Sequence, residues 1–227
     1  MNVQSPIAAA ALALSGACAS PPSELPEPTT PAAAAQAAAD PRIGAEIESG
    51  FRATPGTTLA DRARWFALLR WPEPCERAFD LTRGGSDGGV EIHDLTDGSS
   101  IALVRCAAGA YQPTSVVMRF RRERPEATAA LLELPFYRSP YGRELVQGHT
   151  TEITGETSWL ADQQSLVLLS LSRQTADCGI WTRYSLAGGE PRITGLAVRL
   201  PCPEGAELPV EADGDVPPAD WRMIAPD

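Results

Sequence analysis

Apolar residues are distributed in three distinct ways along the 227-residue chain. Residues 7–14 (IAAAALAL) form one short unbroken run. It is too short to span a bilayer, which takes about 20 residues. Residues 20–40 hold prolines and alanines with almost no large apolar side chain, so they have little to bury and read as an extended linker. From residue 41 onward the pattern becomes periodic. Thr58-Leu59-Ala60-Asp61 has the form of a capping box, with Thr58 as N-cap and the Asp61 carboxylate reaching back. Leu59, Trp65, Phe66 and Leu69 follow at near-helical spacing, and Pro72 stops the run after Trp71.

Beyond that single helix the periods are short, alternating and broken by turn residues. Strands are expected over 79–81, 90–93, 101–106, 115–121, 129–134, 151–153, 158–160 and 166–173. Residues 181–186 and 193–200 form a hairpin around Ala187-Gly188-Gly189-Glu190. Residues 166–171 (LVLLSL) are apolar on both faces, which places that strand inside a sheet covered on each side. In 115–121, Val116, Met118 and Phe120 should face inward while Val117, Arg119 and Arg121 face solvent. The expected fold is all-β: one antiparallel meander or sandwich-like domain over 41–227, with one N-terminal helix.

Composition narrows the function classes. A net charge of −10 argues against a nucleic-acid partner, which needs a basic footprint to displace counterions. The acidity sits at the ends: residues 1–40 carry −3, 204–227 carry −6, and 41–203 are close to neutral. The C-terminal stretch therefore reads as a solvated acidic flank. All 19 basic residues are arginine, a bias that carries no functional weight.

The apolar run ends in Ser15-Gly16-Ala17-Cys18, which marks 1–19 as an export signal. Two processing routes are open. Gly-Ala-Cys has the form of a lipobox, making Cys18 a lipid anchor, and Ala17-Cys18-Ala19 has the form of an A-x-A cleavage site. Setting Cys18 aside leaves Cys75, Cys106, Cys178 and Cys202, an even set with no C-x-x-C pair. The 181–200 hairpin brings Cys178 near Cys202, which leaves Cys75 for Cys106. Each bridge would be worth about 3.5 kcal/mol in the chain-entropy model. Paired cysteines behind an export signal imply an oxidising compartment, the periplasm or outer membrane.

Several of these residues also recur in a known order. Cys106-Ala107-Ala108-Gly109-Ala110-Tyr111-Gln112 reads C-x-x-G-A-Y. Asp177-Cys178-Gly179, Trp181, Gly188-Gly189, Cys202-Pro203-Glu204-Gly205 and Asp220-Trp221-Arg222 read D-C-G…W…C-x-x-G…W-R. Over the C-terminal two thirds, the chain resembles the bacterial family called domain of unknown function 1176. That resemblance implies envelope localisation and the disulfides, and it implies no activity.

Motifs for known chemistry are missing: no G-x-S-x-G, H-E-x-x-H, phosphate-binding glycine loop or G-x-G-x-x-G occurs. No catalytic residue, metal ligand or cofactor is expected. His93, ahead of the Asp94–Asp97 turn, could form a site with those carboxylates, although such aspartates ordinarily bond their own backbone. His149 carries no signature. Arg119, Arg121 and Arg124 are candidates for an anion-binding strip. The expected function is a non-catalytic envelope module that binds or scaffolds an envelope partner and meets the membrane only where Cys18 carries a lipid. The alternatives are an inhibitor or partner of an envelope enzyme, and a hydrolase built on a cleft where two acids meet His93 or His149.

Overall fold

The computed structural model describes residues 58–205 and 214–226. The expected export signal, Cys18, the expected 20–40 linker and part of the acidic flank lie outside the described residues. The capping box forms as expected. Thr58 is the N-cap of α1 (Leu59–Leu69), its hydroxyl accepts from the Asp61 amide, and the Asp61 carboxylate accepts from the Thr58 amide. The helix closes on Arg70, in left-handed geometry, two residues ahead of Pro72.

A second helix, α2 (Glu73–Thr82), follows where 79–81 read as a strand. Three residues of alternation misled there, because Phe79 pairs with Cys75 one helical turn back and Leu81 stands in solvent. Pro74 in the first turn, Glu73 and Glu76 at the N-terminal end and the Glu73–Arg77 ion pair all favour the helix. The domain thus carries two N-terminal helices on an all-β body, plus the single turn α3 (Pro125–Thr128).

The first sheet runs in the order β1 (Val90–Asp94), β2 (Ser100–Ala107), β3 (Thr114–Phe120), β4 (Ala130–Leu131), with β7 (Glu152–Thr154) also paired to β3. The second runs β12 (Arg222–Met223), β11 (Arg192–Arg199), β10 (Gly179–Ser185), β9 (Ser165–Leu171), β8 (Glu156–Leu160). A separate hairpin joins β5 (Leu134–Arg138) to β6 (Val146–Thr150). All these pairs are antiparallel.

Strand alternation explains the layering. Ile101, Leu103 and Val117 of the first sheet meet Leu166, Leu168 and Tyr184 of the second in the central core. The opposite face of the first sheet (Val104, Val116, Met118, Phe120) lies under the helices, where the Trp65 and Phe120 rings pack 5.4 Å apart. On the outer face of the second sheet Val167, Leu169, Trp181 and Ala197 are closed over by Trp221. β9 is therefore buried on both faces, as its sequence required. So is β3: Val117 is fully buried in the inter-sheet core rather than solvent-facing, because a second sheet lies where water was expected.

Two disulfides staple the layers. Cys75–Cys106 ties α2 to β2 and Cys178–Cys202 ties the start of β10 to the segment after β11. Between α1, α2 and β2 lies Arg62, 2% exposed. Its Nε and Nη2 reach Glu76 Oε2 at 2.9 and 2.7 Å, and Nη1 donates to the Gly88 and Arg105 carbonyls at 2.8 and 3.1 Å. Its guanidinium stands 3.6 Å over the Phe79 ring centre, and Trp71 Nε1 donates to the same Glu76 oxygen.

Candidate functional site

An open concavity sits where the β5–β6 hairpin faces the turn between β10 and β11. Pro135 and Tyr137 of β5 stand opposite His149 and Gln147 of β6, so all four project from one face of the hairpin. Leu131, Leu132 and Glu133 form a second wall, and residues 189–193 of the turn and early β11 form the third. The open cleft encloses about 640 Å³. That is within the size range of small-ligand sites. Tyr137 anchors its floor by packing on Ile180, Leu196 and Val198.

The ionisable residues of the cleft are Glu133, His149, Glu190 and Arg192. All four are exposed, and none of their side chains makes a hydrogen bond or ion pair with another described residue. Two acids and a histidine thus share one cleft without an oriented acid–base pair. Nothing in the local sequence marks His149, because the cleft is assembled from β4, β5, β6 and the distant glycine turn.

The glycine turn is held from the first sheet. Arg119 donates to the Gly189 carbonyl, from Nε to Ser99 Oγ at 3.0 Å, and from Nη2 to Asp97 Oδ2 at 2.5 Å. Asp97 Oδ1 also accepts from the Ser99 hydroxyl and amide, at 2.6 and 2.9 Å. These two bonds from Ser99, reinforced by the Arg119 charge, lower the Asp97 pKa to about 2. Arg119 is 15% exposed and tied into this network rather than pointing into water. Arg121 and Arg124 lie on the following segment, and Arg121 shares a shallow hollow with Asp97, Ser99 and Arg119. Their neighbour Arg122 pairs with Asp94 at 2.7 Å.

His93 is not brought together with Asp94 and Asp97. Asp97 bonds Ser99, and Asp94 bonds the Ser100 hydroxyl and Arg122. The His93 ring faces the inter-sheet side and stacks on Trp159 of β8 at 4.8 Å, with Nε2 3.5 Å from Glu91. Among the described residues, no group of three or more His, Cys, Asp or Glu side chains could hold a metal ion. No described helix is long and apolar enough to cross a membrane.

The recurrent motif residues have structural tasks. Gly109 has φ +67, and a Cβ there would lie 1.8 Å from the Gln112 carbonyl oxygen. Gln112 is buried and bonds the Leu171 backbone in both directions, Nε2 to O at 2.9 Å and N to Oε1 at 2.6 Å, bridging the β2–β3 loop to β9. Asp177 is fully buried, paired through both oxygens with Arg173, and Arg173 also donates to the Gly205 carbonyl.

Fold and cleft together define a disulfide-stapled β-sandwich with an open polar cleft at one end. Known proteins add little to that class. No family model matches the chain, and no solved structure matches it. It is 30% identical over 116 residues to the uncharacterized protein YpfG of Escherichia coli (strain K12), covering 50% of this chain and 31% of that protein. The chain thus spans about a third of that relative's length.

Proposed function

We propose that the protein is a non-catalytic binding or scaffolding module of the bacterial cell envelope, with the β5–β6 cleft as its ligand site. The observation that carries this reading is the set of four ionisable cleft side chains, Glu133, His149, Glu190 and Arg192, that pair with no other described residue. Side chains that are neither neutralised nor oriented by one another are free to pair with a ligand. A general base acts once it lies within hydrogen-bond reach of the proton it abstracts, and no second described side chain orients His149 for that task. Two disulfides support the envelope assignment, since such bridges persist in oxidising compartments. The motif order around Cys106, Cys178 and Cys202 supports kinship with domain of unknown function 1176.

A photo-crosslinking residue at Gln147, on the cleft wall, tests the reading in intact envelopes. The expected result is a discrete adduct that Glu133→Ala with Glu190→Ala abolishes and that a crosslinker at Thr175 does not give. Failure of the Gln147 position to give an adduct, or an adduct indifferent to both glutamates, would refute it. If the captured partner is an envelope enzyme whose activity falls on binding, the module is an inhibitor. The hydrolase reading draws on His149, Glu133 and Glu190 lining one cleft. It requires turnover of an ester or amide substrate that His149→Gln removes.

A further inference from the structure

A strand with no neighbour on one side presents free N–H and C=O groups, a template for another strand, and most such edges carry a guard. Among the described residues with a free edge, β1 has Glu91 and Asp94, β7 has Glu152 and β8 has Glu156. β4 and β12 are two residues long. β5 carries Arg138 and Pro135, and the proline has no amide to offer. β6 differs. Val146-Gln147-Gly148-His149-Thr150 holds no carboxylate, arginine or proline, and β5 is its one strand partner among the described residues.

The hairpin register shows which groups point away from β5. Pro135 is paired with His149 and cannot donate, so the bonds to β5 fall at Val146, Gly148 and Thr150. Alternation then turns the N–H and C=O of Gln147 and His149 outward, where no described residue bonds them. Both side chains are exposed, and a Cβ on Gly148 would meet nothing within 4 Å. The strand is also held in place. The Cys202 amide donates to the Gly142 carbonyl at 2.9 Å, and a Cβ on Gly142 would collide with Cys202 Sγ. The Cys178–Cys202 bridge therefore clamps the loop that leads into β6.

We propose that β6 pairs antiparallel with β6 of a second copy of this chain, about a two-fold axis at Gly148. The strand suits its own reverse. Gln147 falls opposite the partner's His149, so the outward backbone groups of each meet in reciprocal hydrogen bonds. Val146 falls opposite the partner's Thr150, a pair of β-branched residues, and the glycines put no side chain on the axis. A foreign strand would find no charge on β6 to select it, whereas a second copy brings matched length and register. Just beyond each end the register sets Glu144 against the partner's Glu152, which confines the pair to five residues. Gln147 and His149 also line the cleft, so the pairing joins two hairpins into one four-stranded sheet and brings the partner's His149 to the border of the cleft. The pairing does not require that the cleft hold a ligand.

The test is analytical sedimentation of the full chain carrying Cys18→Ser, which leaves no attached lipid and no spare thiol. Five paired residues are less than a standard interface supplies, so the expected result is a concentration-dependent monomer–dimer equilibrium, complete by roughly millimolar protein. Salt should strengthen it by screening Glu144 from the partner's Glu152. Gly148→Glu sets two carboxylates against each other at the axis and should weaken association about fivefold. Its melting temperature should hold, since the monomer has room for the side chain. Gly148→Cys should link two copies under mild oxidation, because Cα atoms about 4.5 Å apart lie within reach of a disulfide. Val146→Cys, four residues from its own counterpart in the pair, should not. Glu133→Ala with Glu190→Ala alters the cleft and leaves β6 intact, so it should dimerise like the parent; a failed pairing and a failed ligand reading are thereby told apart. A monomer at every concentration, association indifferent to Gly148→Glu, or equal linkage from positions 148 and 146 would overturn the proposal. Linkage of Gly148→Cys to another envelope protein in extract, with none to itself, would overturn it in favour of a foreign strand.

Discussion

Arg62 brings a charge to a position 2% exposed, and almost every donor it presents there has an oxygen. Such a pair adds little over an apolar substitute, but removing one partner leaves the other charged and dry. Glu76→Ala is therefore expected to destabilise the domain by about 3 kcal/mol in urea unfolding. Joint replacement of Arg62 by Met and Glu76 by Leu should recover much of that loss. Asp97 acts in the opposite solvent regime. Its carboxylate is 40% exposed, so solvent screening holds its contribution to about 1 kcal/mol or less. Its folded pKa of about 2 lies below the unfolded 3.8. The contribution is complete above the unfolded value and fades as pH falls through the folded one. The melting-temperature gap between the parent and Asp97→Asn should stay constant near neutrality and close between about pH 4 and pH 2. A gap that persists at pH 2 would contradict the Ser99–Arg119 account.

At the level of elements, the sequence carried what depends on neighbours along the chain. The Thr58 cap, the β10–β11 hairpin and the two-faced apolar run of β9 are all short-range signals, and each is realised. What depends on tertiary neighbours was not legible. Val117 and Arg119 read as solvent-facing because their alternation cannot reveal a second sheet above them. The β5–β6 hairpin escaped notice because Pro135 and the seven-residue loop obscure its period. The cleft was hidden for the same reason, since its walls come from three separate stretches. The β2–β3 loop gives a direct check on packing. Gly109→Ala would drive a methyl into the Gln112 carbonyl and break the Gln112–Leu171 pair, so a loss of about 2 kcal/mol or more is expected in urea unfolding. Gly188→Ala has nothing within 4 Å to clash with, so it adds only the strain of its left-handed backbone, and its loss should be smaller. Losses of equal size would contradict the close approach at Gly109.

Over the whole molecule, charge segregates in a way that local reading cannot see. The 119–124 run drew attention as a basic strip, yet Arg119 and Arg122 are tied to Asp97 and Asp94. Arg138, Arg143 and Arg222, by contrast, are exposed, and their side chains make no hydrogen bond or ion pair with another described residue. The layers are held by a small core plus two bridges that close 31 and 24 residues. Removing Cys178–Cys202 with paired Ser substitutions should cost about 3 kcal/mol and free the β5–β6 loop from its clamp. The envelope account rests on those bridges being formed in the cell. Peptide mapping under non-reducing conditions, on protein taken from its native cell with thiols blocked at lysis, tests this most directly. The account predicts linked peptides for Cys75–Cys106 and Cys178–Cys202. Recovery of all four residues as blocked free thiols would contradict it.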